Sequence, residues 1–400
     1  MKVLLLTNEY PPNIYGGAGV HVDYLSRALS KLCKVDVRCF GNQKLSTKSI
    51  SVTGFGVNNN HYTAPKPLKS VFGALDRCLH FNATNIDADL VHVHTWYTHF
   101  GGILAKLNYG IPLVLTSHSL EPLRPWKEEQ LGGGYQFSCW VEKAAVEMAD
   151  AVIAVSAEAK KDIVKLFNVD QAKVHVIYNG IDPAEYRPVK APEKLKVFGI
   201  DPLKPYVLFV GRITRQKGII HLLNAIQYMR PDFQIVLCAG APDTKAIAKE
   251  MESHVSKLQK TRTGIIWIQE ILDTQTKVAL YSHAAVFCCP SIYEPFGIIN
   301  LEAMACETPV VASAVGGIKE VVLEGETGFL VPVEQKNNSP FDSIHPEKFA
   351  RDLARKINQL MANEKLRIKM GKAGRKRAVN TFSWEAIAKK THTLYKTLIR

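Results

Sequence analysis

The strongest constraint on the fold is an alternation of short apolar runs with longer stretches of helical periodicity. It occurs in two series, the first spanning residues 2–177 and the second residues 206–312. Short apolar runs separated by helices are typical of parallel strands with helical crossovers. We therefore predict an α/β protein with two doubly wound parallel sheets that face a central cleft.

The break between the two series is rich in proline. Five prolines fall within residues 181–205, which is the best candidate for a linker. We predict a first domain over residues 1–190, a second over 191–380, and a C-terminal helix over 381–400 that crosses back to the first domain. Residues 43–70 are polar, and we expect them to form a mobile excursion.

Composition limits the compartment and the partners. No apolar run is long enough to span a membrane, and the eight scattered cysteines suit buried thiols in a reducing compartment, so we expect a cytoplasmic protein. The net charge is +13, and residues 351–400 alone carry 14 Lys/Arg against 3 Asp/Glu. This basic region is either a solvated helical face or a weak contact with an anionic membrane; nucleic acid is not expected, because interleaved aromatics are missing.

A glycine loop, Gly16-Gly17-Ala18-Gly19, follows the first predicted strand and precedes a helix. Backbone N–H groups in such a loop can meet a phosphate, although adjacent glycines also occur in ordinary tight turns. The spacing is not that of a dinucleotide-binding fingerprint, and no acidic residue closes the second strand.

A second loop, residues 211–218, places Arg212 and Lys217 at the carboxyl end of a predicted strand. Open α/β sheets bind ligands at that edge, and two permanent cations there suit a diphosphate. The alternative is a pair of solvated surface cations.

The third constellation holds two glutamates on a strand-to-helix turn. Pro295 restrains Glu294 to an extended conformation, and Gly297 lets a ligand approach the first helical N–H groups. Glu302 lies within the following helix. The two carboxylates are therefore expected to address different parts of one elongated ligand.

We predict no metal. Asp87 and Asp89 form a D-x-D at the amino end of a strand, away from the expected cleft. For His92, His94 and nearby His99, hydrogen-bonded core histidines are favoured over a zinc site.

His118 differs from these histidines, because it follows a strand at the edge expected to face the cleft. There it can bond a sugar hydroxyl, or it can be a strand-end histidine bonded to backbone.

Together, Glu294 and Glu302 around Pro-Phe-Gly, Arg212 with Lys217, and the Gly16-Gly17 loop resemble the retaining glycosyltransferases of the two-domain, Rossmann-like GT-B fold. More narrowly, residues 91–97 and 116–135 resemble compact, actinobacterial-type glycogen synthases that use ADP-glucose.

The resemblance implies a role for each candidate residue. Arg212 and Lys217 would bind the donor diphosphate, Glu294 would contact the glucose and Glu302 the ribose. Gly17 would approach the diphosphate, and His118 would line the reacting face of the sugar. The N–H groups beyond Phe296, at Gly297 and Ile298, would address glucose hydroxyls and phosphate.

The expected function is transfer of glucose from ADP-glucose to the non-reducing end of an α-1,4-glucan, with no cofactor beyond this co-substrate. Ile14 and Ala18 replace the lysine and leucine of the larger synthases' Lys-x-Gly-Gly-Leu, and Thr95 replaces the aspartate of their His-x-His-Asp. These departures leave the acceptor open. Glucose-1-phosphate, giving maltose-1-phosphate, is the first alternative; a membrane-surface lipid glycosyltransferase and a non-catalytic glycan-binding protein are the others.

Overall fold

A computed structural model describes residues 1–56, 62–336 and 341–399. The chain divides into two compact units. Unit one comprises Met1–Gly180 and Trp384–Arg400, and unit two comprises Ile181–Ser383. Unit one thus ends ten residues before the predicted boundary at residue 190, and the chain returns to it at residue 384 rather than 381. The proline-rich stretch lies within unit two.

Within the described part of unit one, eight strands form one sheet in the order β3-β4-β2-β1-β5-β6-β7-β8. The pairings are parallel except for β3 with β4. The strands are β1 Lys2–Thr7, β2 Lys34–Phe40, β3 Lys44–Ser46, β4 Ile50–Phe55, β5 Leu90–His94, β6 Leu113–Ser117, β7 Ala151–Ala154 and β8 Val174–Val176.

The helices of unit one are α1 Gly17–Leu29, α2 Lys66–Ala83, α3 Trp96–Tyr109, α4 Glu128–Leu131, α5 Gly134–Met148, α6 Ala157–Phe167 and, from the end of the chain, α15 Trp384–Leu398. β5 and β6 are buried along their whole length, as expected for central strands covered on both faces. Helix α15 packs against α1 and joins this core, where Trp384 stacks on Tyr24 with ring centroids 5.7 Å apart.

The expectation of a mobile excursion over residues 43–70 is wrong for the part that the structure describes. Residues 44–55 form β3 and β4, and α2 begins at Lys66. Val52 of β4 is buried in the core of unit one, which the polar composition of the segment conceals. Residues 57–61 of the segment lie outside the described residues.

Unit two repeats the architecture with a smaller sheet. Its described strands lie in the order β11-β10-β9-β12-β13-β14, and all pairings between them are parallel. The strands are β9 Tyr206–Arg212, β10 Gln234–Gly240, β11 Ile265–Ile268, β12 Val286–Cys289, β13 Val310–Ser313 and β14 Gly328–Val331.

Eight described helices belong to unit two: α7 Glu193–Lys196, α8 Ile219–Ala225, α9 Lys245–Thr261, α10 Thr274–His283, α11 Ile298–Ala305, α12 Ile318–Val321, α13 Pro346–Met361 and α14 Glu364–Thr381. Apolar residues of α8 and α13 cover one face of the sheet, including Leu222, Leu223 and Leu353. The two sheets confirm the predicted α/β class with two doubly wound units.

Some of the positive charge near the carboxyl terminus stabilises helix ends. Arg375 donates to the carbonyl oxygens of Tyr186 and Ala305, and Arg377 donates to those of Glu320 and Val321. Cations at helix C-termini complete the unpaired carbonyl groups there. In the described chain, no helix combines the length and the apolar character that crossing a membrane would require.

Candidate active site

The loop between β9 and α8 positions Arg212 and Lys217 in unit two. It ends at Gly218, whose φ of +61° is the left-handed conformation that favours glycine, and a Cβ there would lie 2.1 Å from the carbonyl oxygen of Pro290. The backbone N–H of Lys217 donates to Thr214 Oγ1 at 3.1 Å. The close approach of Gly218 to Pro290 shows that the loop after β9 packs directly against the segment that follows β12.

Lys217 and Glu294, which the sequence analysis assigned to one ligand, form an ion pair. Lys217 Nζ lies 2.6 Å from Glu294 Oε2, and the two side chains are only 18% and 8% exposed. Ser291 Oγ donates to the same carboxylate oxygen at 3.2 Å. The pair sits at the carboxyl edge of β9 and β12, where open α/β sheets bind their ligands.

Arg212 also has a carboxylate partner. Its Nη1 lies 2.8 Å from Asp243 Oδ1, in the loop between β10 and α9. Since Arg212 is 25% exposed and Asp243 11%, the pair is partly shielded from water. An anionic ligand reaching Arg212 therefore meets a guanidinium already oriented by Asp243.

The turn between β12 and α11 places the two glutamates as the sequence suggested. Glu294 lies before α11, and Gly297, with φ of +96°, caps the amino end of that helix. Phe296 is buried and packs on Phe382 with ring centroids 5.8 Å apart, so its side chain faces the interior. Phe296 can thus offer only its backbone to a ligand, and Gly297 and Ile298 add backbone N–H groups at the start of α11.

Glu302 lies inside α11 and is held at both carboxylate oxygens. Tyr186 donates to Oε1 at 3.0 Å, and Tyr281 donates to Oε2 at 2.8 Å. Burial first, and then the Glu302 carboxylate, raise the pKa of both tyrosines, so both remain neutral donors. Each carboxylate oxygen retains lone-pair capacity for a further donor, such as a ribose hydroxyl.

The glycine loop of unit one carries an internal carboxylate. Glu9 Oε2 accepts hydrogen bonds from the backbone N–H groups of Tyr15 at 2.8 Å and Gly16 at 2.7 Å, just before α1 begins at Gly17. A Cβ on Gly19 would lie 2.7 Å from the same oxygen. The loop therefore accommodates a negatively charged group at the amino end of a helix, where the helix dipole favours one.

His118 lies directly after β6, and its partner is a histidine rather than backbone. His118 Nε2 is 3.0 Å from His94 Nδ1 at the end of β5, and the His21 ring meets it edge-on at a centroid distance of 4.7 Å. Burial first, and then the neighbouring histidines, hold the pKa of His118 well below the usual histidine value. A neutral imidazole, able to donate and to accept, thus stands at the strand edge.

The other two histidines of the β5 region differ from each other. His92 is a hydrogen-bonded core histidine, with Nδ1 2.6 Å from Tyr395 Oη and Nε2 2.7 Å from Thr116 Oγ1. For His99 that expectation is wrong, because both ring nitrogens are buried and neither has a partner among the described residues. Burial lowers the pKa of His99 to about 3 and keeps it neutral.

Asp87 and Asp89 lie at the amino ends of β1 and β5. Asp89 accepts from the backbone N–H of Lys2 at 2.7 Å, and Asp87 pairs with Lys2 Nζ at 3.4 Å. The D-x-D thus anchors the first strand, on the sheet edge opposite to His94 and His118.

Sequence reasoning missed the residues that hold the predicted ones in place: Asp243, Ser291, Tyr186, Tyr281, Glu9 and His21. Most of them lie outside the motifs and far along the chain from their partners. Ser291 and Glu9 are the exceptions: Ser291 lies three residues before Glu294, and a carboxylate just before a glycine loop at a helix start was a readable signal.

Comparison with known proteins gives the family. A profile described as Glycosyltransferase Family 4 matches residues 15–185, and one described as Glycosyl transferases group 1 matches residues 190–340. In structure, the sucrose-phosphate synthase of Thermosynechococcus elongatus is similar, with a TM-score of 0.79 and 26% identity, over 100% of this chain and 99% of that one. Two doubly wound parallel-sheet units of this kind define the GT-B class of glycosyltransferases.

Two relatives in sequence are informative. The alpha-maltose-1-phosphate synthase of Mycolicibacterium smegmatis is 47% identical over 404 residues, which cover 99% of each chain. The glycogen synthase of Mycobacterium tuberculosis is 27% identical over 425 residues, covering 99% of this chain and 94% of that one. The chain belongs to the glycosyltransferase family that joins a Family 4 module to a group 1 module, and it is a hexosyltransferase.

Proposed function

We propose that this enzyme transfers glucose from ADP-glucose to glucose-1-phosphate and so produces maltose-1-phosphate. The observation that carries the proposal is the 47% identity, across 99% of both chains, to an alpha-maltose-1-phosphate synthase, against 27% to a glycogen synthase. The sequence analysis favoured an α-glucan as the acceptor and kept glucose-1-phosphate as the first alternative. The similarities support that alternative better.

The donor half of the reaction is supported by the charges of unit two. Cleavage of the anomeric C–O bond leaves negative charge on the departing ADP and positive charge on the sugar. Lys217 and Arg212 are oriented cations at one sheet edge, suited to the diphosphate, and the Glu294 carboxylate suits the glucose. Glu302, fixed by two tyrosines, offers acceptor oxygens suited to the ribose hydroxyls.

Transfer with retention of configuration follows by attack on the face that ADP leaves. The bond from the anomeric carbon to the diphosphate breaks, and a bond from that carbon to the acceptor's O4 forms. The acceptor hydroxyl gives its proton to the departing phosphate oxygen, so no side chain has to act as a base. His118 serves in this scheme as a neutral hydrogen-bond partner of the sugar, consistent with its lowered pKa.

The test crosses donors with acceptors. ADP-, UDP- and GDP-glucose are each supplied with glucose-1-phosphate, glucose, maltooligosaccharides or glycogen, and products are identified by mass and by anomeric configuration. We expect α-configured maltose-1-phosphate from ADP-glucose and glucose-1-phosphate, and a lower kcat/KM with glycogen. Glucose-1-phosphate inert beside rapid elongation of glycogen would overturn the proposal in favour of glycogen synthesis.

Two further outcomes concern the remaining alternatives. Salt-sensitive flotation with anionic liposomes, together with transfer to a lipid acceptor, would favour a membrane-surface enzyme. Neither binding nor hydrolysis of any nucleotide sugar would favour a non-catalytic glycan-binding protein. A Lys217→Ala control assigns any measured turnover to this site.

A further inference from the structure

Three histidines of unit one bring potential ligand atoms together: His21 from α1, His94 from the end of β5, and His118 after β6. We call them the histidine trio. One nitrogen of each lies within 4.8 Å of the others. The ring centroids are 4.7 Å apart for His21 and His118, 5.3 Å for His94 and His118, and 5.5 Å for His21 and His94.

These separations are close to those of three imidazoles around a tetrahedral ion. With Zn–N bonds of about 2.05 Å, tetrahedral geometry places the ligand nitrogens about 3.3 Å apart and the ring centroids about 5 Å apart. The shortest contact of the trio, between His94 Nδ1 and His118 Nε2, is 3.0 Å. The remaining nitrogen lies within 4.8 Å of these two, so binding requires its ring to move closer.

The hydrogen bond of His21 leaves one ring nitrogen available to a metal ion. Its Nδ1 is 2.6 Å from Asn179 Oδ1, and because an amide oxygen only accepts, the ring proton is on Nδ1. Nε2 then presents a lone pair, and it is buried with no hydrogen-bond partner among the described residues. Metal-binding histidines commonly donate their second N–H to such an oxygen, which fixes the ring.

The trio is also accessible from one side. His21 and His94 are buried, whereas His118 is half-buried. An ion can therefore reach the trio from the His118 side and keep one position open there.

We propose that the histidine trio is a binding site for a divalent transition metal of the zinc class, with one nitrogen of each imidazole as ligand and a fourth position open to solvent. The sequence analysis predicted no metal, and the trio differs from the group it weighed by including His21 and His118. A metal ion bound to the trio would engage the His118 imidazole, so the metal should inhibit turnover. That consequence alone rests on the proposed function.

The first experiment measures binding without turnover. The full-length protein is freed of metal with a chelator, then titrated with Zn²⁺ in competition with a chelating dye and with Co²⁺ in the visible spectrum. We expect one ion per chain and the intense Co²⁺ absorption of four-coordinate geometry. Single variants His21→Gln, His94→Gln and His118→Gln should lose both signals, while the matched control His99→Gln, a buried histidine outside the trio, should keep them.

A second variant protects the test against misfolding. Asn179→Leu leaves all three ligands but removes the acceptor for His21 Nδ1, and it should weaken Zn²⁺ binding by about 10- to 100-fold. His118→Gln alters the half-buried member and is the ligand variant least expected to unfold, which circular dichroism checks. Absence of stoichiometric binding by the wild type, or binding that persists in folded His118→Gln, would overturn the proposal.

Turnover is measured separately, with donor and acceptor saturating and Zn²⁺ varied. Inhibition that follows site occupancy supports the proposal together with the place of His118 in the reaction. Tight binding to the trio without inhibition would support the metal site and overturn the assignment of His118 to the reacting sugar. Failure of the proposed acceptor with Zn²⁺ binding intact would leave the metal site standing.

Discussion

The two units share a doubly wound sheet, but the sheet edges that carry the candidate site residues differ in chemistry. In unit two, charges face each other in close pairs, Lys217 with Glu294 at 2.6 Å and Arg212 with Asp243 at 2.8 Å. In unit one, the corresponding region holds a cluster of neutral histidines around His94 and His118.

Burial explains how each edge keeps its state. A buried charge needs a partner, and the cations of unit two have carboxylates. Among the described residues no carboxylate pairs with His21, His94 or His118, so loss of solvation favours the neutral form of these three histidines. One edge thus holds oriented side-chain charges, and the other offers hydrogen-bonding nitrogens without charge.

The largest effect that should separate the units is acid sensitivity. The pKa values of His21 and His99 are lowered to about 4 and about 3, and those of His92, His94 and His118 also lie well below the usual histidine value, in each case mainly because the ring is buried. Below about pH 6.5 the unfolded chain binds protons that the folded chain does not, so the free energy of unfolding falls with pH. Each such histidine lowers the free energy of unfolding by roughly 1 kcal/mol per pH unit in this range, so the five together remove several kcal/mol by pH 5.5.

Denaturant unfolding from pH 7.5 to pH 5, with hydrogen exchange read separately on β5–β6 and β9–β12, checks this expectation. In unit two, burial lowers the pKa of His221 and His283 among the described residues, so a smaller loss is expected there. Equal loss of protection in both units would contradict the comparison.

Most of the fold could be predicted from the sequence, because buried parallel strands are continuous apolar runs. β7, β12 and the first five residues of β9 follow this rule. β3 and β4 were not predicted, because strands near the edge of a sheet carry polar residues. Their place in the sheet depends on the pairing of β4 with β2.

The candidate site divides in the same way. Motifs located Arg212, Lys217 and Glu294 because they sit on turns whose glycines and prolines are readable in sequence. Partners such as Asp243 come from other loops, and only the order of strands in the sheet brings them close. Thr95, with φ of +68°, also follows no local rule; it is held by a 2.8 Å hydrogen bond to Asn8 Oδ1 and turns the chain directly after His94.

The next effect sharpens the charged edge. Glu294→Gln should lower kcat by about 100- to 1000-fold, because a carboxylate facing the developing sugar cation acts mainly in the transition state. It should leave ADP affinity unchanged or raised, since the 2.6 Å partner of Lys217 no longer competes for that cation. Glu302→Gln should instead raise the donor KM with a smaller change in kcat.

Steady-state kinetics of both variants and calorimetric titration with ADP decide the assignment, and the pair is internally controlled because each removes one carboxylate from one edge. If Glu294→Gln abolished ADP binding while Glu302→Gln bound ADP normally and stopped turnover, the two roles would be reversed.

Lys217→Ala should lower kcat/KM by an amount equivalent to about 2 to 4 kcal/mol of transition-state stabilisation, because one oriented electrostatic donor to the leaving group is lost. This effect is similar to that of Glu294→Gln or smaller. The matched control is Arg215→Ala, which removes an exposed cation from the same loop. Its kcat/KM should stay close to the wild-type value. Equal losses of kcat/KM in the two variants would indicate that the loop acts through its total positive charge and not through Lys217 in particular. No loss in Lys217→Ala would indicate that Lys217 is a surface cation without a role in turnover.

The smallest expected effect is that of metal removal on turnover. Lys217 and Arg212 supply positive charge at the edge of unit two, and the D-x-D of unit one is engaged with Lys2 at the amino end of the sheet. A diphosphate stabilised by these cations does not need a divalent ion, so kcat in excess EDTA should equal or slightly exceed the untreated value. A slight rise is expected where traces of a zinc-class ion occupy the histidine trio, and His118→Gln protein should show no such rise.

The measurement is initial rate against EDTA concentration, followed by back-titration with Mg²⁺, Mn²⁺ and Zn²⁺. The opposite result is that turnover is lost in EDTA and restored only by Mg²⁺ or Mn²⁺. That result would show that Lys217 and Arg212 do not suffice for the diphosphate, and it would contradict the contrast drawn between the two units.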